Sequence, residues 1–313
     1  MEKQSVSWLT SLKGMAMGIA EVIPGVSGGT IAFITGIYER LINCIKAFGP
    51  ELFVALRQGG LRAGWQAVDG AFLAWLLGGM AVGVVSGVFG VSHLLENYPP
   101  VIWAFFFGLI VASVIYIGRQ VGRWGVIEII GLLAGTALAY WITVASPAQG
   151  PDTWWFIFLS GIIAISALIL PGISGSFILL LMGMYTVIIP AVKGLLETRE
   201  GQYLSTVVFF ALGCLVGLAT FSRVLSWTFR NYRSLTLATL TGFMLGSLNK
   251  IWPWRNVLEY RTNSKGLQVP FLEENVLPAD YTGEPFVLLA VVMALVGFAS
   301  VFLIERFAVE ETP

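Results

Sequence analysis

Charged side chains are scarce in this chain. Of its 313 residues 12% are charged and 57% are hydrophobic, whereas an ordinary soluble domain is about 25% charged. So few charges cannot cover the surface of a soluble protein, and we therefore expect an integral membrane protein. The 18 Lys and Arg balance the 18 Asp and Glu, which excludes a strongly basic surface for nucleic acid.

Groups for metal binding and catalysis are also scarce. One histidine, His93, and two cysteines exclude a multi-histidine metal centre and a disulfide framework. The sequence contains no Ser/His/Asp arrangement, no paired catalytic carboxylates and no Walker loop. We therefore predict no metal, no cofactor and no enzymatic activity.

Long apolar stretches are what the chain has instead. A membrane-spanning helix needs about 17 to 25 mostly apolar residues, and six stretches qualify: 72–94, 101–118, 126–145, 205–227, 235–251 and 285–304. Residues 50–69 alternate charges with Leu, Phe and Trp, which predicts an amphipathic helix at the membrane interface. Residues 252–284 are polar, which predicts an extramembrane loop.

The chain also repeats itself. The motif Pro-Gly-x-Ser-Gly at residues 24–28 recurs at 171–175, and this register, an offset of 147, continues through the matched pairs Gly36/Gly183 and Tyr38/Tyr185. A second block matches at an offset of 134, beginning with Gly79 and Gly213. We therefore predict two membrane repeats, residues 1–150 and 151–313.

Each repeat begins with a broken apolar segment, residues 14–48 and 155–195. Proline and glycine must interrupt the helix there, which frees backbone groups that lipid cannot satisfy. The arms are too short to cross the membrane comfortably, so we predict a re-entrant helical hairpin followed by three transmembrane helices in each repeat. A broken helix that crosses once is the alternative.

Three crossings per repeat would invert the halves relative to one another. The fold class expected is thus an all-α polytopic membrane protein with two inverted repeats. In this topology twelve of the eighteen Lys and Arg lie on the side of the N-terminus, which places both termini in the cytoplasm. Single-crossing broken helices would exchange the two sides.

The broken segments are the predicted binding site. Free N–H groups and hydroxyls at two opposed tips suit a phosphate or a carboxylate, and the residues that supply them are Ser27, Gly28, Gly29, Thr30, Ser174, Gly175 and Ser176. The alternative is that these residues serve helix packing alone, with the serines bonded to their own helix.

Three ionisable residues are also predicted to take part in binding or coupling. Glu21 lies within an apolar run and its counterpart in the second repeat is Leu168, which suggests coupling to H⁺ or Na⁺; a structural carboxylate is the alternative. Arg223 and Arg119 are candidate phosphate ligands, although each is also compatible with a place at the membrane interface. Tyr38 and Tyr185 are interpreted as aromatic residues of the interface.

The residues that carry these motifs also resemble a known family. The run from Gly14 to Thr30, GMAMGIAEVIPGVSGGT, and the second run LPGISGS at 170–176 resemble the hallmarks of the PopT family. The resemblance implies movement of undecaprenyl phosphate, the lipid carrier of bacterial envelope and peptidoglycan synthesis, across the cytoplasmic membrane for re-use. It implies this lipid and the surrounding membrane as partners; a homo-oligomer is left open.

Two other functions remain as alternatives. The first is an ion-coupled carrier of a small soluble anion, which would lack a lipid-sized lateral opening. The second is a membrane phosphatase or transferase that acts on lipid phosphates.

Overall fold

The computed structural model describes residues 8–23, 26–145, 150–197, 201–262 and 268–309. Pro24 and Gly25 of the first motif lie outside these residues. The helices of the first half are α1 (Trp8–Val22), α2 (Gly28–Ile34), α3 (Tyr38–Ala47), α4 (Pro50–Ala67), α5 (Gly70–Asn97), α6 (Pro99–Gln120) and α7 (Val126–Val144).

The second half repeats this order with a β-hairpin added, but its described residues contain no helix that corresponds to α4. Its elements are α8 (Trp154–Ile169), α9 (Gly175–Leu181), α10 (Tyr185–Glu197), α11 (Leu204–Asn231), α12 (Arg233–Ser247), β1 (Arg255–Thr262), β2 (Gln268–Asn275) and α13 (Val287–Val309). Short 3₁₀ turns cover Gly201–Tyr203 and Pro278–Asp280.

A helix occupies each of the six stretches predicted to span the membrane. Among the described residues, α5, α6, α7 and α11 are long and apolar enough to cross it, and the bent pair α9–α10 would make a fifth span. Helix α8 and residues Val287–Leu303 of α13 are apolar but shorter. The protein is therefore a helical polytopic membrane protein.

The helices associate in four close pairs, because glycines let their backbones approach. A Cβ at Gly79 on α5 would overlap the carbonyl oxygen of Ser11 on α1, and a Cβ at Gly213 on α11 would overlap that of Phe158 on α8. The same relation joins α6 to α13 and α7 to α12. Helices α6 and α7 thus each pair with a helix of the other half.

These contacts recur at matched positions. The turns before α6 and α12 also match, since Tyr98 has φ −136° and ψ 49° while Tyr232 has φ −139° and ψ 48°. The third helices, α7 and α13, match at an offset of 162: Gly135 faces the carbonyl of Thr239 and Gly297 that of Phe105.

Two segments differ in detail from their predictions. Helix α4 forms where an amphipathic helix is predicted, but Gly60 interrupts it with φ +65°. The predicted loop 252–284 contains the antiparallel hairpin β1–β2, in which Arg255 pairs with Asn275 and Tyr260 with Pro270. The sequence analysis did not predict these two strands, whose residues pair into a sheet outside the apolar helices.

Candidate functional site

Both apolar segments are broken at the predicted motif. In the first half α1 ends at Val22, and Ser27 is the N-cap of α2. In the second half α8 ends at Ile169, and Ser174 precedes α9 in the same extended conformation. Gly172, inside the second motif, has φ +84°, which an L side chain rarely adopts.

Each segment has a second break that the sequence analysis did not predict. Helices α2 and α9 have seven residues each and end before Gly36 and Gly183, whose φ values are +72° and +70°. After the second break α10 turns by 116° from α9. The signal was present in the sequence as the matched glycine two residues before Tyr38 and Tyr185.

The two broken segments contact one another. The hydroxyl of Ser27 lies 3.2 Å from the carbonyl oxygen of Leu168 and 3.4 Å from that of Leu170, both at the end of α8. The backbone N–H of Gly172 donates to the Thr30 hydroxyl at 3.0 Å. Ser27 and Thr30 are fully buried. Their bonds therefore satisfy buried backbone groups that the break at the motif of the second half leaves without helical partners.

Tyr38 belongs to the same contact. Its hydroxyl donates to the carbonyl oxygen of Ile169 at 3.0 Å, and the side chain is 3% exposed. The interpretation of Tyr38 as an interface residue was therefore wrong, because its ring packs against Phe33 and Phe229 in the core.

Glu21 forms a hydrogen bond across the first break. Its carboxylate accepts a hydrogen bond of 2.7 Å from the backbone N–H of Gly28, the first residue of α2. The neighbouring N–H, of Gly29, donates to the Ser27 hydroxyl at 3.1 Å. Two of the donors predicted to bind an anion are thus bonded to acceptors of this chain in the conformation described.

The second tip is arranged differently. The hydroxyls of Ser174 and Ser176 lie 2.9 Å apart, and Ser176 is exposed. Ser174 does not cap α9 as Ser27 caps α2. A small cavity adjoins this tip, lined by Gly172, Ile173, Ser174, Phe177, Lys250, Ala139, Ile142 and Thr143. Sequence reasoning missed Lys250, because nothing local links it to a motif 76 residues upstream.

The two predicted arginines lie elsewhere. The guanidinium of Arg223, half-buried on α11, donates to the carbonyl of Ala219 and lies against Gly49 after α3. Arg119 is exposed in the last turn of α6, with its guanidinium 5.8 Å from the ring centre of Phe302. Neither contributes to the hydrogen bonds of the described tip residues, and their binding of phosphate stays a prediction.

An apolar groove of about 450 Å³ runs between α11 and α12. Leu170, the C-cap of α8, is one of its lining residues, and so are the exposed side chains of Val224, Trp227 and Tyr232. Buried side chains, Leu225, Leu240 and Phe243, form its floor. The groove therefore connects the broken segment with the outside of the helix bundle.

Comparison with known sequences identifies the family and the relatives of this chain. Residues 17–269 match the model of the undecaprenyl phosphate translocase-like family. The chain belongs to this family. The match contains both Pro-Gly-x-Ser-Gly motifs and the groove, and it confirms the resemblance seen in the motifs.

Two relatives extend the match over most of the chain. A polyprenyl-phosphate transporter of Vibrio cholerae is 45% identical over 303 residues, which cover 96% of each chain. A polyprenyl-phosphate transporter of Staphylococcus aureus is 31% identical over 264 residues, 80% of this chain and 88% of the relative. No solved structure matches the chain.

Proposed function

We propose that this protein moves a polyprenyl phosphate, undecaprenyl phosphate, across the bacterial cytoplasmic membrane for re-use in envelope synthesis. The names of its family and of both relatives support this substrate. The single structural observation that carries the proposal is the groove between α11 and α12. A carrier of a polyprenyl phosphate must admit a long apolar chain from the side while its head group reaches polar groups in the interior.

The groove suits such a chain better than it suits a soluble anion. Its volume of about 450 Å³ falls in the usual range of ligand pockets, about 300 to 1,000 Å³. Its walls are apolar apart from three threonines and Tyr232, and Leu170, next to the motif of the second half, is one of its lining residues. A carrier of a small soluble anion has no use for an apolar lateral opening that ends beside its polar site.

We propose transport without chemical change of the lipid. The relatives are named transporters, and the proposal therefore excludes the phosphatase and transferase alternatives. Release of inorganic phosphate from undecaprenyl pyrophosphate by the pure protein would contradict it.

The proposal includes an inverted relation between the two halves, with both termini in the cytoplasm. The crossed pairing of α6 with α13 and of α7 with α12 supports an arrangement in which the halves interlock around the broken segments. Alternating access in such transporters occurs by movement of one repeat against the other. The hydrogen bonds that join Ser27, Thr30 and Tyr38 to residues 168–172 of the second half are then the contacts that such a movement must open.

We propose that the phosphate binds at the tips, through Ser27, Gly28, Gly29, Thr30, Ser174, Gly175 and Ser176, with Arg223 and Arg119 on its route. Ser27 and Thr30 are buried and bonded, so the head group reaches them once the tips separate. Glu21 couples this step to H⁺ or Na⁺, because an ion or a proton on its carboxylate competes with the hydrogen bond from Gly28 within the same break.

The test is transbilayer movement in liposomes that contain the purified protein. A fluorescent undecaprenyl phosphate on the inner leaflet becomes accessible to a membrane-impermeant quencher when the protein moves it outwards. We expect rapid loss of fluorescence with the protein and slow loss without it. The same rate in both samples would contradict the proposed function.

A matched pair of variants tests the groove. Val224→Trp fills the groove at its rim, whereas Val216→Trp adds the same side chain to an exposed position of α11 outside it. We expect Val224→Trp to slow the movement of the lipid and Val216→Trp to leave it unchanged. Equal rates in the two variants would show that the lipid does not use this groove.

A further inference from the structure

Lys250 lies at the second broken segment although it belongs to the turn after α12. It lines the cavity formed by Gly172, Ile173 and Ser174, and its ammonium lies 4.9 Å from the ring centre of Phe177. The side chain is 24% exposed. A partly buried cation therefore adjoins the backbone and the hydroxyl of the Pro-Gly-x-Ser-Gly motif.

The β-hairpin supplies the anion that neutralises this lysine. The ammonium of Lys250 lies 3.4 Å from Oε2 of Glu273 on β2, and the guanidinium of Arg255 on β1 lies 2.8 Å from the same oxygen. Arg255 is 7% exposed and stacks on Trp103, 4.2 Å from the ring centre. Two cations thus share one carboxylate, and the shorter bond belongs to Arg255.

This sharing leaves Lys250 able to exchange its partner. If another anion takes the ammonium, Glu273 keeps a charged partner in Arg255, so its carboxylate is not left unpaired. Arg255 has an unused donor as well, because its Nε is buried without a hydrogen-bond partner among the described residues. The bond between Arg255 and Glu273 does not involve Lys250, so it continues to hold the carboxylate when Lys250 releases it.

Two hydroxyl residues, Ser174 and Thr143, line the same cavity as Lys250. Ser174 lines the cavity and its hydroxyl pairs with that of Ser176; since each hydroxyl has one proton, this pair leaves one proton available. Thr143 also lines the cavity, but its hydroxyl donates to the carbonyl oxygen of Tyr140 and accepts from the side chain of Asn249. The cavity itself, about 10 Å³, has room for about one water molecule, so a larger anion enters only when the residues that line the cavity move apart.

We propose that Lys250 and Ser174 form a binding site for a phosphate monoester on the β-hairpin side of the protein, and that Glu273 occupies Lys250 until the phosphate displaces it. The inference rests on the proposed function, in which this phosphate is the head group of the lipid. A phosphate monoester competes well with a carboxylate, because it has a charge of about −1.5 to −2 and three acceptor oxygens. In the topology proposed above, this side faces away from the cytoplasm.

The test is ligand binding by the purified full-length protein in detergent, followed by thermal unfolding. The probes are farnesyl phosphate, farnesol and inorganic phosphate. We expect farnesyl phosphate to raise the unfolding temperature and farnesol to have no such effect. Stabilisation by inorganic phosphate at the same concentration would show that the site takes free phosphate without an apolar chain.

Two substitutions with opposite expected effects identify the role of Lys250. Lys250→Gln removes a charged hydrogen-bond donor and should weaken the affinity for farnesyl phosphate about tenfold. Glu273→Gln removes the competing anion and should strengthen this affinity. A purely structural ion pair predicts the same direction for both variants, because both break it, and that result would overturn the inference.

Controls keep the result independent of folding and of transport. Lys193→Gln breaks a surface ion pair with Glu197 and should leave the affinity unchanged, while Lys250→Arg should retain most of it. If the protein moves the lipid but Lys250→Gln binds farnesyl phosphate like the wild type, the inference fails and the proposed function stands. If the protein does not move the lipid, the proposed function fails, and the binding measurement still decides the role of Lys250.

Discussion

The carboxylate of Glu21 and the backbone N–H of Gly28 join the two sides of the first break by a hydrogen bond of 2.7 Å. Glu21 lies in the last turn of α1, the helix before the break, and Gly28 is the first residue of α2, the helix after it. A Cβ at Gly28 would lie 2.7 Å from the same carboxylate oxygen, so the absence of a side chain permits this contact. One acidic side chain thus stabilises the break and is the group we propose for ion coupling.

Substitution of Glu21 separates these two roles. Glu21→Gln retains an oxygen that accepts from Gly28, whereas Glu21→Ala leaves this N–H without its partner, at a cost of about 1 to 3 kcal/mol. We expect a lower unfolding temperature for Glu21→Ala than for Glu21→Gln, and loss of ion-driven transport in both. Measurement of lipid movement with and without a pH or Na⁺ gradient checks this; Glu21→Gln with gradient-dependent transport would contradict the coupling role.

The contact between the tips is tested at Thr30. Thr30→Val keeps the branched shape but removes the acceptor for the N–H of Gly172, which should cost about 1 to 3 kcal/mol because the N–H is left unpaired. Thr35→Val is the matched control, since Thr35 is equally buried but bonds to Ile31 within its own segment. We expect thermal unfolding to show the larger loss in Thr30→Val. Equal losses would mean that the contact between the segments adds nothing.

The positions of the breaks could be predicted because their cause is local. A Pro-Gly pair inside an apolar run favours the end of a helix: α8 ends at Ile169, just before Pro171, and Gly172 has φ +84°. The helices on either side follow from the lengths of the apolar stretches. Gly36 and Gly183 are an equally local signal, because they are glycines at matched positions in both halves, and each breaks its segment a second time.

The partners of the site residues could not be predicted, because they come from distant parts of the chain. Ser27 bonds to Leu168 and Leu170 across more than 140 residues, and no periodicity relates them. The partners of Lys250 could not be predicted for the same reason, because in the sequence it is one basic residue beside a polar loop. Its place at the cavity follows from the packing of α12 against α7 and from the β-hairpin that holds Glu273.

The second break is tested at Gly36. Its φ of +72° is unfavourable for a side chain, but a Cβ would meet nothing within 4 Å, so the cost of Gly36→Ala is conformational and amounts to about 1 to 2 kcal/mol. Gly36→Asn should cost less, because asparagine tolerates this conformation better. Thermal unfolding of both variants checks the order. A larger loss for Gly36→Asn than for Gly36→Ala would indicate crowding that the structure does not show.

Adjacent glycines on α5 test the close pairing of the helices. A Cβ at Gly79 would overlap the carbonyl oxygen of Ser11, whereas one at Gly78 would meet nothing within 4 Å. Gly79→Ala must therefore push α1 away from α5, and we expect a clear fall in the unfolding temperature. Gly78→Ala should be neutral or stabilising by up to about 1 kcal/mol, because alanine favours the helix. If both variants unfold at the wild-type temperature, the backbones of α1 and α5 are not in contact at Gly79.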